Sequence, residues 1–209
     1  MRLQPEAFNR LLNDIGQRFA WRRAFACPCV SPASGAPRHD CPYCLGKGRA
    51  WAAPVEGVAG VVGRDQMRDF AQVGVVDAGD VMLSIPSDSP LYGVGQYDRL
   101  VALNRSEPFS MVLVRGRDAR LRHQVLAIDR AAYIDASGAM VDAAAPAVAP
   151  DGALLWGAGA PPAGVQVSLT GRRRPEFFVY AELPFDRPHH FGRELPRRVV
   201  LRRFDLYGR

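Results

Sequence analysis

The chain has 209 residues, a net charge of +6 and a hydrophobic share of 48%. That share excludes a disordered chain, and no apolar run reaches the roughly 18 residues of a membrane span. The length fits one large domain or two small ones, and the opening Met1-Arg2-Leu3-Gln4-Pro5 lacks the apolar stretch of a secretory leader, so residence in the cytoplasm is expected.

The charge is unevenly spread. Residues 1–50 carry eight Lys/Arg against three acids, residues 51–171 nine against thirteen, and residues 172–209 ten against five. Two basic ends flank an acidic middle, a pattern that permits contact with nucleic acid or with an acidic partner. Lys47 is the single lysine, so the basic character is almost wholly arginine, as in proteins encoded by GC-rich genomes.

Residues 5–23 are expected to form an amphipathic helix. Pro5 suits its first position, and Phe8, Leu11, Leu12, Ile15 and Phe19 fall on one face. Arg22 and Arg23 suit a helix C-terminus. A helix with one apolar stripe must dock, either on its own β body or on a neighbouring subunit.

All four cysteines follow in one stretch. Cys27-Pro28-Cys29 is separated by eleven residues from Cys41-Pro42-Tyr43-Cys44-Leu45-Gly46-Lys47-Gly48. Two close thiol pairs across a short loop supply what a tetrahedral zinc site needs, and the second pair has the shape of a zinc knuckle, whose glycines turn backbone amides towards the thiolates. Zinc is therefore the expected cofactor, with Cys27, Cys29, Cys41 and Cys44 as ligands and His39 as a spare. The alternatives are two disulfides or four free thiols. Pro28, Pro32, Pro37 and Pro42 oppose regular structure in the loop.

From residue 51 the pattern changes to short apolar runs broken by Gly, Pro and Asp. Strands are expected at 58–62, 73–76, 81–85, 99–103, 110–114, 121–127, 132–134, 154–156, 165–169 and 199–206, with a turn at 136–138. The series predicts a mainly β protein, a barrel or sandwich body with an N-terminal helix and a zinc-binding loop. Residues 142–153 read as a loop or as the join between two β units. The expected division is 1–50 for helix and zinc loop, 51–145 for a β domain, and 146–209 for a C-terminal extension of the same body.

No catalytic constellation is legible. His123 reads as a structural residue in a strand, and His189-His190 as a loop with no acid or thiol spaced to complete a metal site. Asp77, Asp80, Asp88 and Asp98 occupy turn contexts, where their side chains bond the backbone. Gly93-Val94-Gly95 lacks the following helix of a dinucleotide fingerprint. The expectation is a non-enzyme. Arg172, Arg173, Arg174, Arg197, Arg198, Arg202 and Arg203 interleave with Phe177, Phe178, Tyr180, Phe204 and Tyr207. Such a mixture makes either a nucleic-acid surface with stacking aromatics or a β core covered by arginines, and alternation in the last strand favours the core. No nucleic-acid-binding residues are assigned.

Three runs resemble proteins of tailed-bacteriophage virions: Gly79-Asp80-Val81-Met82-Leu83-Ser84-Ile85-Pro86, Tyr97-Asp98-Arg99-Leu100, and Phe109-Ser110-Met111-Val112-Leu113-Val114-Arg115-Gly116. Later runs do so too, among them Arg174-Pro175-Glu176-Phe177-Phe178-Val179 and Leu195-Pro196-Arg197-Arg198-Val199-Val200-Leu201-Arg202-Arg203-Phe204-Asp205-Leu206. In that setting the helix and cysteine loop resemble the opening of phage neck proteins, the connectors between head and tail. The likeness is one of overall style from about residue 5 onward and rests on no single diagnostic motif.

The resemblance implies a structural virion component, made in the host cytoplasm. Such chains form rings of on the order of six to twelve copies, beside portal or adaptor and tail proteins, with DNA passing nearby but not specifically bound, and no membrane. A zinc-knuckle nucleic-acid-binding or regulatory protein is the alternative. Its C-x-x-C-x-G-x-G shape resembles half of the zinc region of J-domain cochaperones, which repeat the motif where this chain has it once. A metal-dependent hydrolase is the third reading, and it requires a coordination position open to water.

Overall fold

The computed structural model describes residues 4–63, 77, 79–121, 123–183 and 189–207. Two compact units emerge: Met1–Asn104 with Glu176–Arg209, and Arg105–Pro175 inserted between them in sequence. These bounds differ from the division at 50 and 145 expected from composition. The joins to the insert are short, four residues on one side and two on the other, so no linker marks them.

The first unit opens with helix α1 (Pro5–Ile15). It continues through β1 (Gln17–Arg22), β2 (Ala24–Ala26), β3 (Arg49–Trp51), β4 (Val55–Val61), β5 (Val81–Ile85) and β6 (Arg99–Ala102). The insert contributes β7 (Glu107–Val114), β8 (Val125–Ile134), β9 (Met140–Ala143), β10 (Ala147–Val148), β11 (Leu154–Leu155) and β12 (Gln166–Arg173). The first unit then resumes with β13 (Glu176–Glu182), β14 (His189–His190), β15 (Arg193–Glu194) and β16 (Arg197–Arg203), followed by a 3-10 turn, Phe204–Leu206. Among the described residues no helix is long and apolar enough to cross a membrane.

Six antiparallel strands close into a barrel in the order β1-β4-β5-β16-β13-β6. Closure gives each barrel strand a neighbour on both sides. Its core is written in the sequence at period two: Leu83 and Ile85, Leu100 and Ala102, Phe177 and Val179, Val199 and Leu201 all point inward and are buried. Leu91, from a 3-10 turn at Pro90–Gly93, joins the same core. Gly57 makes room for it, because a Cβ there would fall 2.7 Å from Leu91 Cγ.

The expected helix over 5–23 is too long. It stops at Ile15, and Gln17–Arg22 is the first barrel strand. Phe19 fits both periods, four residues after Ile15 on a helix and two before Trp21 on a strand, and it is fully inside the barrel. The switch occurs at Gly16, where a Cβ would lie 2.4 Å from Val58 Cγ1. Only glycine lets the chain turn this close to β4.

The insert is a four-stranded antiparallel sheet in the order β7-β12-β8-β9, with β10-β11 as a separate pair. Leu113, Leu121, Ala131, Val167 and Leu169 form its core. The runs at 121–127 and 132–134 are joined in one strand, Val125–Ile134, and His123 lies in a bend before it. The β8 register slips beside Gly171, which packs against the Ala127 carbonyl with no space for a side chain. The expected loop at 142–153 contains the end of β9 and all of β10. Strand β13 was not anticipated, and His189-His190 forms one arm of a short hairpin. The expected strand at 73–76 lies outside the described residues.

Candidate metal centre

The cysteine loop leaves the barrel unit through β2 and returns through β3. These pair over three residues, Ala24 with Trp51, Phe25 with Ala50 and Ala26 with Arg49, and the Cys27 amide donates to the Gly48 carbonyl at 2.9 Å. Both thiol pairs are thereby brought above one short hairpin. The loop's own apolar cluster is little more than the sulfurs: among the described residues, Val30 is the one other hydrophobic side chain in it. Such a segment has too little burial to offset the roughly 1–2 kcal/mol per residue that ordering its backbone costs.

The four Sγ atoms lie within 4.8 Å of one another. Cys27 and Cys41 are separated by 3.8 Å and Cys29 and Cys44 by 3.4 Å. A metal–sulfur bond of about 2.3 Å implies tetrahedral sulfur separations of about 3.8 Å. A disulfide would need about 2.05 Å, and all four cysteines are free. The four sulfurs are therefore close enough together that they could hold one metal ion. His39 is exposed and stands outside this group.

Backbone amides tune the thiols. The amides of Cys44 and Tyr43 donate to the Cys41 sulfur and lower its pKa to about 6. Burial pushes the Cys29 thiol up to about 12, against the opposing donation of the Arg38 amide. Gly46 and Gly48 have φ of +79° and +74°, which bring the chain back under the sulfurs, and Lys47 N–H closes the turn on the Cys44 carbonyl at 3.0 Å. Leu45 shares the left-handed conformation, with φ of +54°.

The root of the loop is held by Asp98, which is 3% exposed. Its carboxylate accepts from Trp21 Nε1 at 2.7 Å, Ala24 N at 2.6 Å and Gly95 N at 2.9 Å. One side chain thus ties β1, the start of β2 and the turn before β6. The Gly95 bond is the local turn contact expected of such an aspartate, and the other two are long-range. Asp80 behaves alike: it accepts from its neighbour Asp77 N and also receives both forks of Arg202 at 3.1 and 2.8 Å. Sequence reasoning assigned both acids to turns. An aspartate between apolar strand residues, as in Tyr97-Asp98-Arg99-Leu100, was the available sign of burial.

The arginines that a nucleic-acid surface would use are engaged within the chain. Arg202 holds Asp77 and Asp80 and stacks 3.6 Å from the Tyr180 ring centroid. Arg197 contacts Glu182 and donates to the carbonyls of Tyr92 and Val94. Arg173 pairs with Glu107, Arg172 with Ser106, and Arg203 lies over Phe177. Arg174 and Arg198 also have partners. Phe177 and Phe178 are buried. Opposite charges from the acidic middle and the basic end meet where Asp77 and Asp80 hold Arg202.

The fold and site define a class: a closed six-stranded β barrel with an inserted β sheet and a tetracysteine centre of metal-binding geometry. No family model matches the chain, and no curated protein shows significant similarity to it.

Proposed function

We propose that this chain is a non-enzymatic structural component of a tailed-phage virion, part of the neck ring that joins the DNA-filled head to the tail. The observation that carries the reading is the outer face of α1. The helix is pinned to the barrel unit by a reciprocal pair of bonds, Asn9 Nδ2 to Ser87 Oγ at 2.9 Å and Ser87 N to Asn9 Oδ1 at 3.0 Å. Leu12 fills the space over Gly60. Phe8, Leu11 and Ile15 are turned away and are 48%, 53% and 67% exposed. A rigidly held helix with an outward apolar stripe is suited to contact between subunits. The phage-like runs of the sequence support that setting.

In this reading the metal is zinc, and its role is structural. Four thiolates close the coordination shell, which leaves no position for a reacting water. The alternative, a zinc-knuckle nucleic-acid-binding protein, shares the knuckle, but it draws less support because the arginines it would use already serve the fold.

The test is Leu11→Asp. The side chain is more than half exposed, so folding stability should change by no more than about 0.5 kcal/mol. A charge in the contact should sharply reduce incorporation into particles. Normal incorporation and infectivity with Leu11→Asp and Phe8→Asp combined would reject α1 as the subunit contact. Elemental analysis of the purified chain should find one zinc per copy. Iron instead would revise the metal and leave the structural role standing.

A further inference from the structure

We infer that the metal centre is the lock on an aromatic clasp that fixes the 204–207 segment against the barrel. The inference rests on metal binding by the four cysteines and goes beyond the virion reading.

The clasp has two halves. One belongs to the barrel side of the unit: Tyr97, Arg99 and Phe178. The other rides on the return arm of the cysteine loop: Lys47, Arg49 and Trp51. The 204–207 segment is held between them. Trp51 meets Phe204 and Tyr207 edge-on, with centroids 5.3 and 5.8 Å apart, and its Nε1 donates to the Tyr97 carbonyl at 3.2 Å. The Lys47 ammonium donates to the Tyr207 carbonyl and stands 5.4 Å from that ring's centroid. Arg49 lies 3.9 Å from the Tyr97 ring centroid. From the barrel, Arg99 covers Phe204 at 4.4 Å and Phe178 meets Tyr207 at 5.0 Å.

Trp51 is set by its pairing with Ala24, whose amide Asp98 holds, and by its own bond to the Tyr97 carbonyl, while Lys47 and Arg49 stand farther out, on backbone that the metal orders. Lys47 is three residues beyond Cys44 and is fixed by the turn its amide closes. Arg49 pairs with Ala26, the residue before Cys27. The β2-β3 ladder has three residue pairs, and an isolated two-stranded ribbon is at best marginally stable. Metal loading therefore sets where the two cations stand. Removing the metal frees their backbone, and the grip of Lys47 on Tyr207 loosens. Asp205 and Leu206 are exposed on that segment, so loading also decides the surface it presents.

Hydrogen–deuterium exchange on the full chain, zinc-loaded and chelator-stripped, tests this. Metal content is measured on the same samples. The Tyr207 amide, which donates to the Phe204 carbonyl at 3.1 Å, is the reporter. Stripping should speed exchange at 204–207 by roughly tenfold or more, while β5 and β16 keep their protection. Lys47→Ala with Arg49→Ala should speed exchange at 204–207 while one zinc stays bound. This arm decides the matter if the stripped chain unfolds as a whole. A chain that binds one zinc, opens at 27–48 on stripping and keeps 204–207 protected overturns the lock alone. So does a double variant with unchanged exchange. A chain that takes up no zinc overturns the metal reading and the lock together.

Discussion

Asp98→Ala removes one small, buried side chain and should cost more than most core truncations. The carboxylate accepts three hydrogen bonds, from Trp21 Nε1, Ala24 N and Gly95 N, all at 2.9 Å or less. Bonds to a charged acceptor contribute about 1.5–3 kcal/mol each, and a buried donor left unpaired loses its hydration as well. Three such losses, partly relieved by relaxation, amount to about 4–6 kcal/mol, against a typical total stability of about 5–15 kcal/mol. The assay is urea unfolding followed by tryptophan fluorescence in a Trp156→Phe background, because Trp21 and Trp51 belong to the barrel unit and Trp156 to the insert. With a slope of about 2 kcal/mol/M, the midpoint should fall by about 2–3 M. Asp98→Asn keeps one acceptor oxygen and should lose about half as much. A midpoint for Asp98→Ala within about 0.5 M of the parent would refute the claim that this carboxylate anchors the loop root.

Cys41→Ser and Cys44→Ser should each abolish stable zinc binding and make residues 27–48 sensitive to protease, while far-UV circular dichroism still reports the barrel; a protected loop without metal would contradict this. Gly171→Ala places a methyl 2.1 Å from the Ala127 carbonyl oxygen, so the insert should lose at least about 1–3 kcal/mol, read from Trp156 emission during unfolding. Asp80→Ala strands the Arg202 guanidinium beside one remaining, exposed acid and should cost about 3–5 kcal/mol in thermal unfolding. In metal-free protein, Cys41 contributes stability that is fully present above its unfolded-state pKa near 9 and is lost as pH falls through about 6. Cys29 works oppositely, its contribution being present below 9 and lost as pH rises through about 12. Zinc binding must strip the Cys29 proton at neutral pH, so proton release on zinc addition should be measurable by calorimetry in buffers of different ionisation enthalpy.

The barrel was legible wherever period-two burial was strong. Val81–Ile85 is read from the sequence with its true ends, because a short apolar run follows Gly79-Asp80 and a proline closes it. The cysteine cluster was legible because short spacing makes the chemistry local. The beginning of the barrel was hidden, since Phe19 satisfies a helical stripe as well as a strand face, and nothing local marks Gly16 as the place where a neighbouring strand forbids a side chain. Strand β13 was hidden by its composition: Phe177, Phe178 and Tyr180 among arginines look the same whether they stack on bases or fill a core. The insertion was hidden because the strands run into it without a linker. Charge was legible as a sum and misleading as a map. The acids of the middle and the arginines of the end are paired at Asp80–Arg202 and Glu107–Arg173, which sequence distance conceals.

Quantitative mass spectrometry of gradient-purified phage particles, with the major capsid protein as internal standard, tests the central claim most directly. A structural neck component should be present at a fixed low copy number, on the order of six to twelve per particle, and should stay with particles through repeated gradients. Absence from purified particles, or a copy number that varies between preparations, would contradict the virion assignment.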